Sequence, residues 1–472
     1  MFIKKKLTIT IVSIMMVMVI LPSNLSSQNQ THDNSFKEIW QKVEEISKQG
    51  KPQAALKYVR QAKELSLKKD NQPQFIKSVI YEVRLNQQYV EEPFNKASNI
   101  ILNAFELTED TVSRALLNSF LAGTYEMYKE RYHYSINSRT ELFTDTIKDL
   151  NQWTTERITK ETIKHYQLSL KNIDVLSRVP LKDYKVIIHK EEPEYLKTIY
   201  DLLATSAIEY YAKEKINLIE AGTKNKFDDA RYFKTDQSFL SISINTKNYD
   251  YNSLAIDLYQ KLFRLHQNDK DPFTKTMLDI ERLEFVKNRS QRNDASKLYR
   301  FALENLLESH NDHPVSTRIQ HKLAEYWYSE GQQYKPLEGN EHKMEIAKAV
   351  EICNTAIKSY PESHGAKQCK ALKSKILSKE IILQMEPAVI PNEPSIALLE
   401  YKNVQNIHYN LYKLDNEAYL DWAFLRDRKK SLQELQQLTA YKSWSHKLPD
   451  DKDFQMHRLE TEIPPLNKGY YV

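Results

Sequence analysis

Glycine is scarce. The chain holds 7 in 472 residues, where average usage of about 7% would supply roughly 33. That stock leaves almost no material for a Gly-rich phosphate loop. The Gly-x-Ser-x-Gly turn that exposes a hydrolase serine does not occur, nor does the His-Glu-x-x-His pattern of zinc-binding helices. Basic charge is not concentrated. The formal charge is +5, from 68 basic and 63 acidic residues. Lys4, Lys5 and Lys6 are the only charges before Gln28, and removing them leaves 65 against 63, or +2. Nucleic-acid binding asks for a concentrated basic stripe, so that class is set aside. After Leu21 no segment is apolar enough to cross a bilayer. No cofactor, metal or catalytic group is expected, and the chain reads as a non-enzyme.

A Gly-poor, Lys/Glu/Leu-rich chain favours helices, because glycine is costly in helix interiors. The stretch from His313 to Ile382 reads as three consecutive amphipathic helices. The first begins after Pro314 and carries Ile319, Leu323, Tyr326 and Trp327. The second carries Ile346, Val350, Cys353 and Ile357, and the third Ala366, Cys369, Leu372 and Ile376. That spacing gives one buried face per helix. Tyr360-Pro361 ends the second helix and Ser363 caps the third. Ala349, Ala356 and Pro361 resemble the second half of a tetratricopeptide repeat, whose small residues let helices approach closely. The first half matches poorly, since Gln332 to His342 reads as an inserted loop. An ordinary helical hairpin is the other reading.

Earlier in the chain, Phe36, Trp40, Val43 and Ile46 face Ala55, Leu56, Val59 and Ala62 across the turn Gly50-Lys51-Pro52. Further stripes run from Phe75 to Val83 and from Leu116 to Tyr128, and helix pairs are expected to recur to Lys379. Breaks fall at Val179-Pro180, Glu192-Pro193, Asp271-Pro272 and His313-Pro314. The 29 tyrosines are expected between helices, ring inward and hydroxyl at a polar edge; a stacking surface for bases or sugars is the alternative. Glu386-Pro387, Ile390-Pro391 and Glu393-Pro394 read as a linker. Beyond it the apolar period changes to two, with strands at Ile396 to Tyr401 and Ile407 to Tyr412, then near Trp444, Met456 to Ile463 and Gly469 to Val472.

Met1 to Ser27 has the form of a secretory signal, with Lys4 to Lys6, the apolar run Leu7 to Leu21, then Pro22 and small residues. An uncleaved segment would instead tether the chain to a membrane. The expected organisation is a signal peptide over 1–27, a disordered leader over 28–35, a helical-repeat solenoid over 36–384, a Pro-rich linker over 385–394 and a partial β domain over 395–472. The fold class is mainly α. Cys353 and Cys369 are predicted to form a disulfide. Each lies eight residues from Pro361, so both sit about 12 Å up paired helices at 1.5 Å per residue, in a compartment that permits oxidation. Two buried free thiols are the alternative. His310, Asp312 and His313 suggest a metal clip but fit better as a polar loop before proline. Glu191-Glu192 and Asp450-Asp451 fit better as surface charge than as an acid/base pair.

Several stretches, in order along the chain, resemble the N-terminal region of the alpha-2-macroglobulin-like proteins of Gram-negative bacteria. They are Trp40 with Gly50-Lys51-Pro52-Gln53-Ala54-Ala55-Leu56, then Arg114-Ala115-Leu116-Leu117 with Tyr125, Tyr128 and Arg139-Thr140. Tyr200-Asp201-Leu202-Leu203-Ala204 comes next, then Leu258-Tyr259-Gln260 with Phe273 and Asp279-Ile280-Glu281-Arg282-Leu283. Ala366-Lys367-Gln368-Cys369-Lys370-Ala371-Leu372 and Tyr401-Lys402-Asn403-Val404 complete the series. The resemblance implies a periplasmic or cell-envelope protein of the protease-inhibitor family, in which a helical region precedes macroglobulin β-sandwiches, a bait region and often a thioester. It implies protein partners, a protease or envelope proteins, and makes 395–472 a partial macroglobulin-like domain. The chain departs from the pattern in having no Cys-Gly-Glu-Gln or similar thioester sequence and no bait region, so a truncated or fragmentary scaffold is expected. The alternatives are a stand-alone repeat scaffold and a helical nutrient-capture protein of the outer membrane; the latter usually carries a lipid-anchoring cysteine that is missing here.

Overall fold

The computed structural model describes residues 34–139, 149–188, 193–213, 225–235, 237–246, 250–424 and 428–472. The expected signal peptide and most of the leader lie outside them, as do Glu191 and Glu192. The chain is mainly helical and divides into two compact units, one ending at Tyr299 and the other beginning at Arg300.

The first unit opens with α1 (Asn34–Lys48), α2 (Pro52–Lys68), α3 (Gln72–Asn86), α4 (Pro93–Phe105), α5 (Thr111–Ile136) and α6 (Thr155–Ser169), each packed on the next. Local chemistry sets their ends. Gly50 takes φ +70° in the α1–α2 turn, a backbone state that costs glycine little. Pro52 starts α2, and the side chains of Asn71, Asp110 and Thr154 accept first-turn N–H bonds of α3, α5 and α6. Phe36, Trp40 and Val43 of α1 pack on Ala55, Leu56, Val59 and Ala62 of α2, the expected facing stripes. The α5 helix is buried along most of its length and leaves helical geometry at Tyr132.

The recurrence of helix pairs stops after α6. The chain passes instead through α7 (Ile173–Leu176), a 3-10 turn Leu181–Tyr184, α8 (Ile199–Lys213), a second 3-10 turn Ala230–Phe233 and α9 (Gln237–Leu240). Pro180 and Pro193 cannot donate to a helix ladder, and Pro180 forms a β-bridge with Thr198. Pairing resumes with α10 (Tyr251–His266) on α11 (Phe273–Arg289). Tyrosine fills this unit: Tyr166, Tyr210, Tyr211 and Tyr251 are buried, with ring centroids 5.2–6.4 Å apart. Those rings are core, and their burial rules them out as an exposed stacking surface. Arg282 is wholly buried; it donates to Asp279 and the carbonyls of Tyr232 and Lys234, with its guanidinium 4.2 Å from the Phe239 centroid.

A helix α12 (Ala295–Ser309) leads to the second unit, built on α13 (Ser316–Gly331), α14 (Glu345–Ser359) and α15 (His364–Leu377), which pack on one another. Ser363 caps α15 as expected, accepting the Ala366 N–H at 3.2 Å. A strand β1 (Glu380–Gln384) comes directly after α15. The helical region therefore ends before 384: Ser378 turns extended at the α15 terminus, and residues 380–384 pair as a strand with residues 398–402 instead of continuing the helix. Then come β2 (Ser395–Lys402), β3 (Asn406–Leu411), β4 (Lys413–Leu414), α16 (Asn416–Phe424), α17 (Arg428–Gln436), β5 (Lys442–Lys447), β6 (His457–Ile463) and β7 (Tyr470–Tyr471). All the expected strands are found, and the two short helices α16 and α17 stand between them as additions. Pairing is antiparallel throughout, in the orders β1-β2-β6, β3-β5 and β4-β7. The first two sheets enclose a core of Leu399, Tyr401, Ile407, Tyr409 and Leu448.

Close approach of α13 and α15 depends on Gly365. A Cβ there would overlap the Thr317 carbonyl carbon and side-chain oxygen. Gly365→Ala is expected to destabilise the second unit by about 1–3 kcal/mol, read as a lower urea midpoint. An unchanged midpoint would show that the two helices part without cost.

Candidate functional site

Three groups of polar or reactive side chains are organised beyond the needs of a simple core. The first is the cysteine pair. Cys353 on α14 and Cys369 on α15 are fully buried among Ala324, Ile346, Ala349, Ala356 and Leu372. The structure holds them as free thiols rather than the predicted disulfide, adjacent enough to hydrogen-bond one another, so the pair is reduced here and would form the bond only on oxidation. That hydrogen bond, and burial, hold the Cys369 thiol above its ordinary range. A buried thiol of that kind is a poor nucleophile.

The second group ties the α13–α14 loop to the strands of the same unit. Asp451, Asp453 and His457 bring one ligand atom each within 4.8 Å of the others. Lys343, from the loop, lies 2.8 Å from Asp451 and 4.0 Å from Asp453. His457 Nε2 is 2.9 Å from Asp453 Oδ1, and its ring stacks on Tyr401 at 5.4 Å between centroids. Gln455 Nε2 donates to the carbonyls of Gly331, His342 and Lys343. Two carboxylates and an imidazole are suitable donors for a divalent cation. Here the Lys343 ammonium lies beside them, and the arrangement acts as an ion-pair clamp on the inserted loop. Asp453 is buried, which only the fold reveals. Asp451, expected as surface charge, faces Lys343; its neighbour Asp450 accepts from Gln405 at 2.7 Å.

The third group lies in the first unit. His266 is nearly inaccessible, with Nε2 2.9 Å from Asp201 and Nδ1 2.9 Å from Asp269. Asp201 also accepts the backbone N–H groups of Lys197 and Thr198, and Lys197 Nζ reaches Asp269 at 3.0 Å. Burial alone would lower the imidazole's pKa; the two carboxylates outweigh it and hold His266 above its ordinary value. His165 is opposite in sense: burial brings it down to about 4, with Nδ1 2.8 Å from Asn118 Oδ1. Nearby, Tyr166 donates to Glu126 at 3.0 Å, and burial raises the Glu126 carboxyl.

Other sequence candidates do not gather. His310 Nδ1 meets the Leu306 carbonyl, and His313 Nδ1 accepts the Val315 N–H. Both therefore serve local turns rather than a clip. A cleft of about 460 Å³ between α6, α8 and α10 is lined by Lys164, Tyr200, Tyr211, Leu254 and Lys261 among others. Lys164 and Lys261 are paired with Glu161 and Asp257.

The two buried histidines give stability opposite pH windows. His266 lends stability that is complete below about pH 6.5 and is lost as pH rises through its raised folded-state value. His165 acts in the other window, its contribution falling away only as pH drops below about 6.5. His266→Gln should therefore lower the melting temperature below about pH 6.5 and converge with the parent chain at alkaline pH, which flattens the decline between; a loss confined to the alkaline side would reverse the assignment. Thiol counting on unfolded, unreduced protein tests the predicted staple. Zero reactive thiols are expected in protein exported to an oxidising compartment, with up to about 3 kcal/mol of stability from closing a loop of about 15 residues. Two reactive thiols would rule the bond out. In comparisons with known proteins, no family model and no curated protein matches this chain.

Proposed function

We propose that this chain is a non-catalytic binding scaffold of the bacterial cell envelope, equivalent to the N-terminal part of an alpha-2-macroglobulin-like protein. On this reading its helix pairs are tetratricopeptide-like repeats of a solenoid, and residues 395–472 belong to a macroglobulin-type β domain begun earlier, at β1. The observation that supports it best is the order of parts. Helices, many of them packed in sequential pairs within each unit, run to Leu377, and two facing antiparallel sheets come immediately after. That is the succession the ordered sequence resemblance implies. The organised polar groups support a structural role, since each is engaged within the fold: the thiols with one another, Lys343 with Asp451, and His266 with two carboxylates.

A stand-alone interaction scaffold is the second reading. It draws on the β segment having a packed core of its own around Leu399 and Tyr409.

The test has two parts. Expressed with its leader in a Gram-negative host, the chain should be recovered from the periplasm with its N-terminus near Gln28. Retention in the cytosol with Met1 intact would overturn the envelope assignment. Incubated with trypsin-like, chymotrypsin-like and elastase-like proteases, the purified chain should leave their activity toward a large protein substrate unchanged. Stoichiometric inhibition would overturn the claim that it only binds.

A further inference from the structure

The connection from β5 to β6 is anchored at both ends. Leu448 enters the core between the sheets, and Phe454 packs against the cluster around Cys353. Between these anchors, Lys452 and Phe454 take φ +54° and +58°, a left-handed backbone that residues other than glycine rarely adopt. Asp453 stands between them and turns inward, its side chain only 2% exposed. His457 opens β6 with its ring stacked on Tyr401. Asp451 lies at the open side, in contact with solvent. The three side chains bring ligating atoms within 4.8 Å of one another, and among the described residues no other three His, Cys, Asp or Glu side chains converge in this way.

Asp453 has more acceptor capacity than its neighbours use. Its Oδ1 accepts the Gln455 N–H at 3.0 Å and faces His457 Nε2 at 2.9 Å. Its Oδ2 is buried and has no hydrogen-bond partner. Lys343 Nζ lies 4.0 Å from that oxygen, outside hydrogen-bond reach, and 2.8 Å from Asp451. A buried carboxylate oxygen in that state costs free energy. With His457 neutral, one ammonium also stands against two carboxylates. Nor does the α13–α14 loop depend on that ammonium for its place. Gln455 Nε2 holds the loop through the backbone carbonyls of Gly331, His342 and Lys343. The Lys343 side chain is flexible and partly exposed, so it can swing into solvent while the loop stays.

We propose that Asp451, Asp453 and His457 form a binding site for a divalent transition-metal cation, and that the Lys343 ammonium is the tethered cation it displaces. Asp453 supplies the unused Oδ2, Asp451 a carboxylate oxygen and His457 its Nε2. The Nε2 proton moves to Nδ1 or to solvent, which frees the lone pair for the metal. Water completes the shell from the exposed side at Asp451. Carboxylate and imidazole together favour Zn2+, whereas Mg2+ and Ca2+ take oxygen ligands. The cation balances both carboxylates and gives Asp453 Oδ2 the partner it otherwise does without. Metal binding fixes the β5–β6 connection and releases the Lys343 side chain from it. The site stands on side-chain geometry, whichever role the whole chain has in the envelope.

Calorimetric titration of the purified full chain with Zn2+ tests it, with metal content measured after dialysis. One equivalent should bind. Asp453→Asn keeps the oxygen that accepts from Gln455 but removes the charge, and should weaken binding by roughly tenfold or more. His457→Gln should do the same, and it carries the test alone if Asp453→Asn loses the parent's circular dichroism spectrum. Lys343→Met removes the competing cation and should tighten binding, a response that an ion held elsewhere on the surface would not give. No uptake at millimolar Zn2+, or uptake unchanged by the carboxylate and imidazole substitutions, would overturn the proposal. Unchanged or weaker binding in Lys343→Met would overturn the displacement. Tighter binding of Mg2+ than of Zn2+ would overturn the choice of metal.

Discussion

Each of these helices buries one apolar face, and it can do so only against a neighbour. That single constraint governs most of the molecule. A stripe such as Phe36, Trp40 and Val43 has no stability alone, because an isolated helix leaves it in water. Packed on Ala55, Leu56, Val59 and Ala62 it is buried. The same requirement runs through α6, and again through α13, α14 and α15, where Gly365 lets α15 approach Thr317 more closely than any Cβ would permit. Where prolines interrupt the helical ladder, between Leu170 and Tyr251, the described residues meet the constraint with short turns and buried aromatic rings around α8, which packs on α10.

Filling the interior with tyrosine, arginine and histidine brings polar atoms inside, and those atoms need partners. Arg282 finds a carboxylate and two carbonyls, Glu126 finds Tyr166, and His266 finds two aspartates. These groups connect segments that are distant in sequence, so they help to choose one arrangement of helices over others. They are satisfied by the protein itself. That is the physical basis for reading the chain as a scaffold, even though several of the groups have shifted acidities of the sort also met at catalytic sites.

The strands obey a different version of the same rule. A sheet of this size buries one face, and the facing sheet must be wide enough to cover it. Over β2 and β6 it is; over β1 it is not. Among the described residues, the inward side chains of β1 are left half in water. The paired helices α1 and α2 leave no comparable opening, because each stripe there is met by its neighbour.

Much of this organisation is legible in the residues themselves. The stripes of α1, α2 and α13 to α15, the Ser363 cap, the Pro52 start, the inserted loop before α14 and the change to a period of two all rest on spacings within a few positions. Those spacings report which face of a local element is apolar. The height of Cys353 and Cys369 on paired helices is also readable, since both count from one turn at Pro361. Other features have no local signature. Lys343 meets Asp451 across 108 positions, and His266 meets Asp201 across 65. Nothing near Asp453 marks it as buried. Residues 380–384 could extend a helix or form a strand, and only pairing with β2 makes them β1. The unequal width of the two sheets is likewise a property of registered strands, not of any one of them. Spacing along the chain determines which faces are apolar; which distant face covers each one, and which is left uncovered, is decided only when the whole chain packs.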